Sequence, residues 1–377
     1  MAPHNNKNQW LDFCRALAIG LVLFGHGKSM LLPYFPWLEY LKVGGFLGVE
    51  LFFVLSGFLI GTIIIKSNKE SDSYFGWIPV FWGRRWFRTL PNYYFFFIIN
   101  IALVYLGIRY SSTQSYWPYL FFFQNLAWTH PTFFEEAWSL AVEEVFYFFT
   151  PILIGILSFI TKNKDSGLLI VIGSTLVLSL TAKFVYVGIY NPLFDEGVRK
   201  VVLLRLDALM IGVMFAYSVS RMKIQGSSIH IRKIGVILLP LFFVQPIYSL
   251  FAQVIFDDSY FAKTFLFFIT SLGCVGLIAI GLNSISLPRW LDLVCTKTAQ
   301  LSYSIYLVNL SVLILINYID FFESLNGLIK FLLYISVTFY LSSITYRLIE
   351  TPFINFRDRL FPSGGLKVDD FWTPSKR

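Results

Sequence analysis

Apolar runs long enough to cross a membrane recur about ten times along this sequence. A spanning helix needs roughly 20 predominantly apolar residues. The runs lie near 10–31, 44–65, 90–109, 137–160, 167–189, 200–220, 234–256, 262–283, 299–319 and 325–349. Only 14% of the residues are charged, whereas soluble domains carry about 25%. The sequence therefore predicts an all-α, polytopic membrane bundle of about ten helices over residues 1–357 and a short polar cytoplasmic tail at 358–377.

Two further segments need a separate interpretation. The stretch 117–128, WPYLFFFQNLAW, is apolar but short, which favours an interfacial or re-entrant segment over a span. No small-residue cleavage site follows the first apolar run, so that run is expected to be an uncleaved span and not a signal peptide.

Lysine and arginine are concentrated in every second loop. In a polytopic membrane protein this is the usual cause of a positive net charge, here +8, so the charge does not indicate a nucleic-acid partner. The basic loops hold Lys66, Lys69, Arg84, Arg85, Arg88, Lys162, Lys164, Arg221, Lys223, Arg232, Lys233, Arg289 and Lys297. The alternate loops are mainly acidic. The positive-inside rule then predicts that both termini lie in the cytoplasm.

The first apolar run carries two ionisable residues, Arg15 and His26. At about 100° per residue their spacing places both on one helix face, about 16 Å apart along the axis. Ionisable residues inside a membrane are costly, and they usually face a bundle interior or a polar cavity. The sequence predicts a fixed cation near the cytoplasmic surface and a deeper imidazole. A snorkelling arginine with a structural histidine is the alternative.

A basic segment, RRWFRTLP, is expected in the loop after the second run. Arg85 and Arg88 are three residues apart, so a helical turn would point both in one direction. Guanidinium groups suit bidentate binding of phosphate. Arg84, Arg85 and Arg88 are therefore candidates for binding an anionic cofactor, with ordinary positive-inside charge as the alternative.

The run at 137–160 contains two adjacent carboxylates, Glu143 and Glu144. In an apolar context each needs a partner or a proton. The predicted topology places them at the depth of His26, so we expect His26 to be the nearest partner of this pair. A structural ion pair is the alternative. The three cysteines show no metal-binding spacing, and no metal site is predicted.

Seven segments, in order, resemble the acyltransferase-3 family of integral membrane acyltransferases. They are RALAIGLVLFGH, GVELFFVLSGFLIG, RRWFRTLP, WSLAVEEVFY, RLDALMIG, SYSIYLVNL and RLIETPF, and together they span residues 15–353. Many members of that family carry an additional extracytoplasmic hydrolase-like domain. The short tail here resembles the stand-alone type, which acetylates surface polysaccharides.

The resemblance implies transfer of an acyl group, usually acetyl, from cytoplasmic acetyl-CoA to a carbohydrate hydroxyl. O-antigen of lipopolysaccharide, exopolysaccharide or a lipid-linked precursor are the implied acceptors, in a bacterial plasma or inner membrane. His26 is then the expected catalytic base with Arg15 as its partner, and Glu143 the acidic residue of the fourth segment. Arg85 and Arg88 match the donor-binding pair. Asn309 stands where many members have histidine, so the relay role of that histidine does not carry over.

Other functions stay open from the residues alone. The acceptor is unassigned, and acylation of a small molecule such as an antibiotic or sugar precursor is one alternative. A transporter is another, although it would show inverted repeats and interrupted spans at corresponding positions, which this sequence lacks. The membrane-bound O-acyltransferase class needs a late intramembrane histidine, whereas His130 and His230 lie in predicted loops.

Overall fold

The computed structural model describes residues 8–40, 44–224, 228–251, 256–282 and 285–362. Within these ranges the chain forms helices and turns without strands, and ten helical segments are long and apolar enough to cross a membrane. The all-α, ten-span prediction is confirmed. The α-helices are α1 (Gln9–Gly27), α2 (Gly44–Glu70), α3 (Ile78–Tyr105), α4 (Trp117–Leu120), α5 (Ala137–Thr161), α6 (Lys164–Tyr190), α7 (Leu206–Ile224), α8 (Ser228–Leu238), α9 (Val244–Phe251), α10 (Tyr260–Gly281), α11 (Arg289–Tyr318), α12 (Asp320–Glu323), α13 (Gly327–Thr345) and α14 (Thr351–Leu360).

Two spans start earlier than hydropathy predicts. Helix α3 begins at Ile78, so the RRWFRTLP arginines lie on a helix and not in a loop, which corrects that expectation. Helix α11 begins at Arg289 instead of near 299. The N-terminal parts of both helices carry charged residues, which lower the mean hydropathy of these segments. The first three residues of the predicted tail, 358–360, belong to α14, and residues 363–377 lie outside the described ranges.

The segment between α3 and α5 folds into the bundle without crossing it. Only Trp117–Leu120 is helical, and this segment is not among the ten spans. Its buried Asn125 donates to the carbonyl oxygens of Trp138 (3.2 Å) and Lys200 (2.5 Å). Tyr93 on α3 donates to the carbonyl of Tyr119 at 2.8 Å. These contacts pack the segment against the side of the bundle at which α1 ends.

We call the side at which α1 begins the Gln9 face and the opposite side the Gly27 face. Helix α5 starts well inside the Gly27 face. Its depth follows from one contact between helices, in which Thr89 on α3 donates to Glu144 on α5 at 2.9 Å. Thr89 lies about 24 Å from the end of α3, whereas Glu144 lies about 10 Å from the start of α5, at 1.5 Å per residue. The start of α5 is therefore about 14 Å nearer the middle of the bundle than the end of α3.

Small residues bring α2 and α7 into close contact. A Cβ atom at Gly57 would lie 1.9 Å from the carbonyl oxygen of Leu209, and one at Gly212 would lie 2.2 Å from that of Val54. Inside lipid the hydrophobic effect does not drive helices together, because the acyl chains are as apolar as the side chains. Helix association there depends on such close packing.

Buried charges tie the same helices together. Glu50 on α2 accepts hydrogen bonds from Arg205 and from Ser271 of α10, each at 2.5 Å. Lys183 on α6 is paired with Asp207 on α7. The four charged side chains are 3% exposed or less, so their loss would leave an uncompensated charge inside the bundle.

Glu50→Ala is therefore expected to lower the free energy of unfolding by about 3–5 kcal/mol, since it strands the guanidinium of Arg205. Denaturant unfolding in detergent measures this change. The matched control is Asp165→Ala, which removes a half-exposed partner of Lys69, 3.8 Å away, and should cost less than about 1 kcal/mol. Equal losses for the two variants would contradict a structural role for the buried pair.

Candidate active site

A cavity of about 480 Å³ enters the bundle from the Gln9 face. Ligand sites typically measure about 300–1,000 Å³. Asn8, Thr296 and Arg357 line its mouth, and Ser139 and Tyr306 line its inner end. Thr296 and Tyr306 are both on α11, and at 1.5 Å per residue they lie about 15 Å apart. The cavity is therefore deep enough to admit a long, narrow ligand end-on.

Four guanidinium groups surround this cavity. The predicted residues Arg15, Arg85 and Arg88 all line it, together with Arg357 of α14. The acidic lining residues are Asp12, Glu143 and Glu350. The Cζ atom of Arg85 lies 4.2 Å from the ring centre of Tyr147. Its Nε atom is buried and has no hydrogen-bond partner within the described residues.

Arg84 takes a different position from Arg85 and Arg88. It does not appear among the described cavity-lining residues. It donates to the carbonyl oxygen of Phe361 and lies 3.4 Å from the carboxylate of Asp358. Arg84 thus fixes the end of α14, the helix that carries Arg357 to the cavity mouth.

Glu143 also lines the cavity, where its polar neighbours are Arg85, Tyr147 and Ser56. The hydroxyl groups of Ser56 and Tyr147 are hydrogen-bonded to each other. The expected pairing of Glu143 with His26 is wrong within the described structure, because His26 contacts Asn309. The cause is the inward start of α5, which places Glu143 among the arginines of the Gln9 face.

His26 lies just beyond the inner end of the cavity. Its Nδ1 atom is 2.6 Å from Oδ1 of Asn309, a residue one helical turn past Tyr306 on α11. At that inner end, the hydroxyl groups of Tyr306 and Ser139 lie 2.6 Å apart. Charged side chains that act on His26 include Arg199 and Lys200, which follow α6 on the Gly27 face. The imidazole therefore lies between the cavity from the Gln9 face and the loop after α6 on the Gly27 face.

The other described histidines do not suit proton transfer in this cavity. Burial and the nearby Lys200 lower the pKa of His130 to about 3, so its ring stays neutral and is a poor base. His230 is exposed on α8. His4 lies outside the described residues.

Sequence reasoning missed several lining residues. Arg357 lies next to the predicted tail boundary, and Tyr306 and Ser302 lie in the SYSIYLVNL segment without a predicted site role. Ser139, in the WSLAVEE segment, was not singled out. No pattern in the sequence distinguishes these cavity-lining positions from helix–helix contacts.

Comparison with known proteins gives a consistent result. The sequence profile of a family described as "Acyltransferase domain" matches residues 8–347. The chain is 29% identical to the peptidoglycan O-acetyltransferase OatA of Listeria monocytogenes over 196 residues, which is 48% of this chain and 30% of that protein. It is 25% identical to the O-acetyltransferase OatA of Staphylococcus aureus over 374 residues, 91% of this chain and 56% of that one.

These two relatives are longer proteins, and the chain spans less than two thirds of either. No solved structure matches the chain. The family profile nevertheless covers nearly all of the sequence, including every lining residue discussed above except Glu350 and Arg357. The chain is a multi-pass membrane enzyme that belongs to the acyltransferase-3 family.

Proposed function

We propose that this enzyme transfers an acetyl group from cytoplasmic acetyl-CoA to a hydroxyl group of a cell-surface carbohydrate. One observation carries the proposal: an arginine-rich cavity leads from one face of the bundle to Tyr306, one helical turn from the Asn309 that contacts His26. Such a cavity suits a ligand with an anionic head and a thin reactive arm. Coenzyme A has this form, with phosphates at one end and the thioester at the other.

The cations of the mouth and mid-cavity fit the phosphates of the donor. Guanidinium groups bind phosphate through paired, charge-assisted hydrogen bonds. Arg85 and Arg88 both line the cavity and lie three residues apart on α3, so the two guanidinium groups can bind one anionic ligand. The free Nε donor of Arg85 supports an anion or carbonyl oxygen at this depth.

The inner end of the cavity requires a movement. For the thioester to meet His26, the Tyr306–Ser139 hydroxyl pair must separate, and Tyr306 must turn aside. The acceptor hydroxyl then approaches from the Gly27 face. His26 takes its proton as general base while the hydroxyl oxygen attacks the thioester carbonyl.

Two further observations support the orientation and the acceptor. Lysine and arginine are concentrated in the loops of the Gln9 face, which favours a cytoplasmic position for that face. The relatives include a protein named for O-acetylation of peptidoglycan, an envelope carbohydrate. A cell-surface glycan is therefore the acceptor class we propose.

Mass spectrometry of envelope glycans tests the acceptor. Cells that lack the gene should lose an O-acetyl group from one glycan, and the wild-type gene should restore it while a His26→Ala gene should not. Identical glycans in all strains would contradict the proposed acceptor class. Altered acetylation of a small metabolite would instead point to the small-molecule alternative.

Cysteine labelling tests the access route. Ser302→Cys, at a cavity-lining position, should react with a membrane-impermeant thiol reagent from the cytoplasmic side, and coenzyme A should slow the reaction. The described native cysteines are buried, which keeps the background low. Ser311→Cys is the matched control, since Ser311 is equally buried on α11 but lies past Tyr306. Labelling of Ser302→Cys only from the opposite side would contradict the orientation.

A further inference from the structure

Asn309 is a fully buried amide on α11 with an orientation that its own helix fixes. Its Nδ2 group donates to the carbonyl oxygen of Tyr306 at 2.6 Å and to that of Ile305 at 3.2 Å. A reversed amide would place Oδ1 against these two carbonyl oxygens, and acceptors repel each other. The hydrogen-bond network therefore determines which end of the amide faces His26.

The Oδ1 atom of Asn309 faces two donors from other helices. Nδ1 of His26 lies 2.6 Å away, and the hydroxyl of Tyr334 on α13 donates to the same oxygen at 3.3 Å. A carboxamide oxygen only accepts hydrogen bonds. His26 must therefore carry its proton on Nδ1, and in the neutral ring Nε2 then has a free lone pair.

We propose that Asn309 is a positioning residue that holds His26 in the Nδ1–H tautomer, so that Nε2 is the catalytic base. This inference rests on the proposed acyl transfer. In that reaction the proton of the acceptor hydroxyl moves to Nε2 and the hydroxyl oxygen bonds to the thioester carbonyl carbon. The carbon–sulfur bond then breaks, and the proton on Nε2 passes to the leaving thiolate to give the free thiol of coenzyme A.

The Nδ1–H···Oδ1 hydrogen bond persists through this sequence. As Nε2 gains a proton the ring becomes an imidazolium, and a hydrogen bond from a charged donor is stronger than one from a neutral donor. The hydrogen bond to the amide also restrains the orientation of the ring. It does so at Nδ1 and leaves Nε2 free. Asn309 thus supports His26 without touching the substrate.

Three variants separate a positioning role from a packing role. Asn309→Leu, similar in size but without an acceptor, should lower kcat about ten- to a hundredfold, the effect seen when the hydrogen-bond partner of a metal-ligating histidine is removed, and leave the KM for acetyl-CoA unchanged. Asn309→Asp restores an acceptor for Nδ1–H and should recover most of kcat. Tyr334→Phe removes only the longer hydrogen bond to the same oxygen and should leave kcat nearly unchanged.

Nitrogen NMR of histidine-labelled protein in lipid bilayers provides a readout independent of activity. With only four histidines in the chain, the His26 signals can be assigned from the His26→Ala spectrum. The wild type should show a protonated Nδ1 and an unprotonated Nε2, and Asn309→Leu should lose this preference. A wild-type ring protonated on Nε2 alone, or full kcat in Asn309→Leu, would overturn the inference. Full activity in His26→Ala would instead overturn the proposed function.

Discussion

Replacing His26 by alanine is expected to lower the rate of acetyl transfer by about 10²- to 10⁴-fold, the usual contribution of a general base. Removal of the imidazole takes away the proposed base, and His130 is a poor substitute because its pKa is lowered to about 3. The measurement is the initial rate of label transfer from radiolabelled acetyl-CoA by purified protein in nanodiscs.

The matched control is His230→Ala. His230 is exposed on α8, far from the cavity lining, and its loss should leave the rate unchanged. Binding of coenzyme A to His26→Ala should also be unchanged, because the arginines of the cavity remain in place. Transfer at the wild-type rate by a folded His26→Ala protein would contradict the assignment of His26 as the base.

The double variant Arg85→Ala and Arg88→Ala is expected to bind coenzyme A about a hundredfold or more less tightly. Hydrogen bonds to charged groups contribute about 1.5–3 kcal/mol each, and a 1.4 kcal/mol change is about tenfold in affinity. Calorimetric titration with coenzyme A measures the effect. The choice of acceptor should not change, because both residues lie on the Gln9 side of Tyr306.

A double variant of equal charge controls for loss of positive charge in general. Arg232 and Lys233 are exposed on α8 and do not line the cavity, so Arg232→Ala with Lys233→Ala should bind coenzyme A normally. Raising the salt concentration should weaken coenzyme A binding by the wild type more than by the Arg85/Arg88 double variant. Salt screens the attraction between charges, and the wild type has two more cations in the cavity. Equal affinities for both double variants would show that Arg85 and Arg88 only set topology.

The spans could be predicted from the sequence because lipid imposes one strong rule on the chain. Every backbone polar group inside the bilayer must be satisfied, so apolar runs of sufficient length become helices. The rule says less about where a helix begins when charges face an interior cavity. Arg85 and Arg88 illustrate this limit, since they lie on α3 although their charge suggested a loop.

The depth of each residue was harder to predict than its helix. The spacing of Arg15 and His26 predicted their separation along α1, and Arg15 indeed lines the cavity that ends near His26. The predicted depth of Glu143 was wrong. The prediction assumed that α5 starts at a membrane surface, whereas α5 starts inside the bundle and is covered by the segment that contains Asn125. Such burial depends on tertiary contacts that no local pattern encodes.

The partner of His26 also depended on tertiary structure. In the sequence Asn309 stood out only as the residue at a position where many family members have histidine, and nothing there indicated its contact with His26. Its significance comes from the 2.6 Å contact between α11 and α1 and from the carbonyl groups that orient its amide. Pairing across 283 positions of chain requires the assembled bundle.

Sided membrane vesicles test whether the acetyl donor enters from the Gln9 face and whether transfer needs His26. Radiolabelled acetyl-CoA is supplied to only one face, and label is then measured in alkali-labile esters of envelope carbohydrate. We expect labelling when the donor reaches the Gln9 face and no labelling when it reaches only the Gly27 face. With His26→Ala we expect no labelling from either face. Labelling from the Gly27 face alone, or labelling that persists without His26, would contradict these expectations.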